Sequence, residues 1–160
     1  IILAAFFLDA YAFTTEGLVG FSIGKRNKKA FLLAVNNSIQ ISFFTALIIS
    51  LIYLCFFKDI ISLITDIEIL RFISYKHILW IIIIPPVASF SYQLDGVFIG
   101  ASQTSEFRNA MIFSVISFII ISIYFTKFFG NHGIWFSLLI FMILRTVTLK
   151  YYFTKILKRF

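Results

Sequence analysis

"ILWIIIIPPVASFSYQLDGVFIGASQTSEFRNAM", residues Ile78 to Met111, decides how the chain is built. It opens on an apolar run, has Pro85-Pro86 in the middle, and then carries the polar Tyr92, Gln93 and Asp95 before Gly96 and Gly100. About 20 consecutive apolar residues cross a bilayer as a helix. A proline inside such a helix removes a backbone donor and bends it, so a kink is expected at Pro85 and Pro86. The segment reads as a membrane helix carrying an acid.

The rest of the chain repeats that pattern. Of 160 residues, 61% are hydrophobic and 13% charged, where a soluble domain carries about a quarter charged residues. Five apolar segments can be drawn: Ile1–Gly24, Phe31–Phe57, Ile78–Ala101, Ala110–Phe129 and Ile134–Phe153. The expected fold is all-α, a polytopic bundle of about five transmembrane helices. Periodic Ile and Leu in "DIISLITDIEILRFI" (Asp59 to Ile73) predict an interfacial helix between the second and third spans.

The net charge of +7 is arranged for topology, and no nucleic-acid partner is expected. One set of connections carries Lys25, Arg26, Lys28, Lys29, Arg108 and the tail Lys150, Lys155, Lys158 and Arg159. The other carries Lys58, Arg71, Lys76 and Lys127, diluted by Asp59, Asp66 and Glu68. The positive-inside rule puts the first set and the C-terminus in the cytoplasm, with membrane lipids as contacts. Five spans then leave the N-terminal end outside. Because the sequence starts without Met inside an apolar run, it is expected to be the C-terminal part of a longer membrane protein.

Enzyme readings fail on residue type. Gly20-Phe21-Ser22-Ile23-Gly24 spells the G-x-S-x-G of a hydrolase elbow, but that motif needs a strand–turn–helix and a partner His. Ser22 lies in a helical run, and His77 and His132 fall on the opposite side of the membrane. No catalytic residue is expected, nor any metal site, since Cys55 is single and the histidines lack ligand spacing.

The buried polar residues invite a different chemistry. Glu16 lies nine residues before Lys25, roughly 13 Å into the membrane, and Asp95 at similar depth. A carboxylate at that depth is costly unless protonated, paired or facing water. Hydrogen bonding to Thr or Tyr hydroxyls is the structural reading; a titrating site facing a cavity is the functional one. Arg145 is expected to snorkel to the inner interface, which leaves neither acid a basic partner and favours the functional reading. Asp9, Asn36, Gln40, Tyr92 and Gln93 are the candidate cavity residues, with interhelical bonding as the alternative for the amides. Gly20 and Gly24, like Gly96 and Gly100, have the spacing that lets helices approach closely. Glu16-Gly17-Leu18-Val19 and Asp95-Gly96-Val97-Phe98 form a faint internal echo.

"FFLDAYAFTTEGLVGFSIGKRNKKAF", followed by "YQLDGVFIGASQTSEFRNAM", resembles the MATE family of multidrug and toxin extrusion transporters, in its DNA-damage-inducible-F-like bacterial branch. Glu16 to Ala30 resembles the family's acid and small-residue helix exit, with Phe21 where the family often has Gln. Leu94 to Ala101 resembles its "LDGxFxGA", and Arg108 to Met111 its "RNxM". The resemblance implies the eighth to twelfth helices of a twelve-helix transporter in a bacterial inner membrane. It implies an exchange of H+ or Na+ for organic, often cationic, small molecules, with no cofactor. Asp95 and Glu16 would couple the ion, and the N-terminal lobe would be the partner. A lipid-linked oligosaccharide flippase of the same superfamily and a non-transporting remnant or membrane subunit are the alternatives.

The charge asymmetry makes one prediction. With Cys55 replaced by Ser, a cysteine placed at Asn27 should resist a membrane-impermeant thiol reagent added outside intact cells. Labelling without permeabilisation would invert the topology.

Overall fold

The computed structural model describes residues 2–158; Ile1, Arg159 and Phe160, the two ends of the expected topology, lie outside them. Six helices follow in order: α1 (Ile2–Gly24), α2 (Lys28–Ile64), α3 (Glu68–Lys76), α4 (Ile78–Gly100), α5 (Thr104–Phe129) and α6 (Asn131–Leu157). Five of them, all but α3, are long and apolar enough to span a membrane, and the described residues contain no strand. Large apolar side chains such as Phe6, Phe44, Ile120 and Tyr151 point outward. That outward apolar coat suits a hydrocarbon solvent, in which all backbone polar groups must be satisfied within the protein.

α2 runs past the expected end at Phe57, reaching 37 residues or about 55 Å. Its backbone leaves helical geometry at Phe56 (φ −113°, ψ 18°), so the last turns, around Ser62, bend away from the spanning part. The expected interfacial helix is therefore split: its first half ends α2 and its second half is α3. Arg71 fastens the halves together, donating to the Thr65 carbonyl (2.8 Å) and to Asp66 (3.1 Å).

α4 is the hub, packed against α1, α2 and α6. It stays one continuous helix through Pro85 and Pro86. Pro86 has no N–H for the Ile82 carbonyl four residues earlier, and Ser50 of α2 donates to that carbonyl instead (2.8 Å). A neighbouring hydroxyl thus repairs the backbone, a common accommodation of proline in membrane helices.

The glycines set the distance between α1 and α4. A Cβ on Gly96 would strike the Ala12 backbone, and one on Gly100 the Glu16 backbone. A Cβ on Gly20 would meet the Gly100 carbonyl at ordinary contact distance (3.5 Å), whereas one on Gly24 would meet nothing within 4 Å. Gly24 falls at the last turn of α1, beyond the crossing. The small-residue stripe on α4 therefore lies on α1, and the two helices touch backbone to backbone. Gly133 does the same for the α5–α6 hairpin, where a Cβ would come within 2.5 Å of the Phe125 backbone. The hairpin turns on Gly130, whose φ of +54° few other residues adopt.

Three apolar clusters stack along the bundle. Val19, Phe31, Leu94, Phe98 and Leu149 fill the end beside Lys25–Lys29. Leu8, Ala46, Ile84 and Met142 fill the middle, and Ala4, Ile49 and Tyr53 the far end.

Gly100→Ala should lower thermal stability in detergent by about 1–3 kcal/mol, the usual cost of overpacking. Gly24→Ala, in open space, should cause no loss. Equal melting of both variants would remove the glycines from the α1–α4 contact.

Candidate functional site

The site is a buried ion pair between α4 and α6. Arg145 Nε donates to Asp95 Oδ1 at 3.1 Å, and an Arg145 terminal nitrogen lies 2.5 Å from Asp95 Oδ2. This fork-on-fork geometry uses both carboxylate oxygens. The two side chains are 12% and 13% exposed. Phe107 and Phe141 flank the guanidinium, each ring centre 5.9 Å from it, so Arg145 is held by aromatic faces as well as by charge.

Arg145 therefore does not snorkel to the interface. α6 extends to Leu157 rather than Phe153, which sets Arg145 a further turn inside the helix, and a carboxylate is available there. The premise that Asp95 lacks a basic partner falls with it. The signal that sequence reasoning misread was Arg145 itself, a permanent charge in mid-helix that demands an acid at matching depth.

Glu16 and Asp95 are not brought together. Asp95 faces α6, while Glu16, half-buried on α1, lies in an open groove of about 480 Å³ with Phe13, Gly20, Ile99, Gly100 and Ser102. Tyr92 stands on α4 one turn before Asp95, half-buried, and the half-buried Asp9 is close enough to act on both electrostatically.

The candidate amides separate. Gln93 is fully buried and accepts a hydrogen bond from Thr15 of α1 (2.6 Å), the interhelical bonding that was the alternative for the amides. Asn36 lines a groove of about 470 Å³ between α2 and α6. Gln40 is exposed one turn further along α2. Ser22 donates to the Leu18 carbonyl within its own helix (2.7 Å), which disposes of the hydrolase motif geometrically.

One polar cluster was not foreseen. His77 and His132 stack at 4.5 Å between ring centres, and Trp80 donates to His132 Nδ1 (2.9 Å). The α3–α4 joint is thereby clasped to the start of α6, two residues with no sequence spacing in common. Among the described residues no group of three or more His, Cys, Asp or Glu could hold a metal ion.

A membrane bundle whose inward acid is paired across two helices narrows the families to those with charges at membrane depth. The MatE family model matches residues 1–128. The chain belongs to the MatE family. It is 31% identical over 145 residues to the DNA damage-inducible protein F of Escherichia coli (strain K12), covering 91% of this chain and 31% of that protein. The chain thus spans about a third of the length of this MatE relative. No solved structure matches it at a significant level. As a MatE member with five apolar helices, it is a multi-pass membrane protein.

Breaking the pair from one side should be worse than removing it. Arg145→Ala leaves a buried carboxylate unpaired and should cost about 3–5 kcal/mol in detergent unfolding. The double variant Asp95→Asn, Arg145→Gln should recover much of that loss. Additive losses would show that the two side chains do not depend on each other.

Proposed function

We propose that this chain is part of the C-terminal lobe of a proton- or sodium-coupled antiporter. The antiporter exports organic, often cationic, compounds across a bacterial plasma membrane by alternating access, and an N-terminal lobe is its structural partner. MatE membership supports the transporter class. The observation that carries the coupling assignment is the buried Asp95–Arg145 pair.

A coupling ion must bind better to one conformation than to the other. With Arg145 in place the carboxylate is neutralised by the protein itself. A proton or a sodium ion on Asp95 competes with that guanidinium, so ion binding and the ion pair exclude each other. Loss of the pair weakens the polar tie of α6 to α4 while Phe107 and Phe141 still border the arginine. The bundle then has two arrangements that the ion can choose between. Rocking of the two lobes around a midplane site converts that choice into alternating access. Glu16, in its separate groove, is the second acid of this reading and meets cationic substrate or ion at the wall of the lobe.

In a transporter comprising this chain and its N-terminal lobe, Asp95→Asn combined with Arg145→Gln, which leaves no charge buried and unpaired, should abolish ethidium efflux while the protein reaches the membrane in normal amounts. The amide in place of the Asp95 carboxylate keeps its shape and removes the competition. Undiminished efflux from the double variant at normal expression would overturn the coupling role.

A further inference from the structure

The surface between α2 and α6 is cleft over α4 along much of the membrane span. An upper chamber of about 250 Å³ is lined by Phe43, Pro86, Val87, Ile143 and Val147, all apolar, together with Phe90 and Thr146. The lower chamber, about 470 Å³, shares Phe90 and Thr146 and adds Leu32, Asn36 and Lys150. The shared residues make the chambers one continuous groove. α2 and α6 run antiparallel, with Asn36 eight residues from the Lys28 start of α2 and Lys150 seven from the Leu157 end of α6. Both are therefore roughly 10–12 Å inside the same end of the bundle. That is the end bearing Lys25, Arg26, Lys28 and Lys29.

Three properties narrow the occupant. The groove opens between two helices long and apolar enough to span a membrane, so its walls lie at membrane depth. No carboxylate lines either chamber, and Lys150 makes no ion pair among the described residues; the groove has the opposite sign to the one holding Glu16. Polar lining is confined to Asn36, Thr146 and Lys150, with only hydrocarbon beyond Thr146 toward Phe43. An extended apolar slot with one amine and one amide near the lipid–water boundary is complementary to an amphiphile with a negative head.

We propose that this groove binds one anionic membrane phospholipid, with an acyl chain along Phe43, Pro86, Phe90 and Val147 and the phosphate at Lys150 and Asn36. The long stem of Lys150 lets its amine rise to headgroup level while its methylenes stay against the groove wall. Burial of acyl methylenes supplies most of the attraction and the amine supplies the preference for negative heads. This site is separate from the Asp95–Arg145 pair and does not depend on the coupling reading.

The purified protein in nanodiscs of equimolar phosphatidylglycerol and phosphatidylcholine, with matched acyl chains, is released and weighed by native mass spectrometry. Wild type should retain one phosphatidylglycerol over phosphatidylcholine by about fivefold, the worth of one lysine beside an anionic head. Lys150→Gln should bring the ratio near one, and Lys150→Arg should restore it. Lys28→Gln, on the same end but outside the groove, should leave it unchanged. Val147→Phe, filling the apolar chamber, should reduce retention of both lipids. No preference in wild type, an unchanged ratio in Lys150→Gln, or an equal loss in Lys28→Gln would overturn the proposal.

Discussion

A charge inside a bilayer must be paired or face water, and Asp95 of α4 meets the constraint through the grip of Arg145 of α6. The pair ties the C-terminal hairpin to the helix that touches nearly everything else. α4 lies on α1 through Gly96 and Gly100, is bonded to α1 through Gln93 and Thr15, and lends the Ile82 carbonyl to Ser50 of α2. Three different devices (small residues, an amide bond and a freed carbonyl) hold α4 to α1 and α2. Its tie to α6 combines apolar packing with the ionisable pair. The polar ties of α4 thus divide into fixed ones and one that a cation can compete for.

That division also explains the arrangement of the acids. Asp95 is neutralised by its partner in the packed interior, while Glu16 lies half-buried at the rim of a groove. The echo of an acid followed by glycine in α1 and α4 does not produce two equivalent sites. At Asp95 the next glycine presses α4 onto α1 and directs the carboxylate the other way. At Glu16 the following Gly17 meets nothing within contact distance. Similar words in the two helices therefore end in different environments.

Much of the fold was legible because apolar length and basic flanks are properties of single segments. The five spans, the break before Lys28 and the small-residue face of α4 could be read this way. Helix ends were less legible: α2 continues to Ile64 because Asp59 and Ser62 suit a surface turn as well as a loop. Of the site, Asp95 and Tyr92 stood out as polar residues in an apolar run. Arg145 was misassigned because pairing across 50 residues is set by how α4 and α6 dock, which no local pattern encodes. For Gln93, interhelical bonding and cavity lining stayed open for the same reason: which face of α4 meets α1 follows from Gly96 and Gly100, and the amide shares that side. The His77–His132 stack depends on two loops meeting at the far end and left no trace in either segment.

The bond from Ser50 to Ile82 has a mechanical meaning. In an uninterrupted helix every interior carbonyl is satisfied from within, so the helix can turn about its own axis without changing its backbone hydrogen bonding. Pro86 takes that freedom from α4, since the partner of one carbonyl now belongs to α2. Any axial rotation of α4 must carry Ser50 along or give up the bond. The proline therefore acts as a detent that indexes α4 against α2 at one angular position. Sliding or tilting of the hairpin against α4 is resisted instead by the Asp95–Arg145 pair and by apolar packing between α4 and α6.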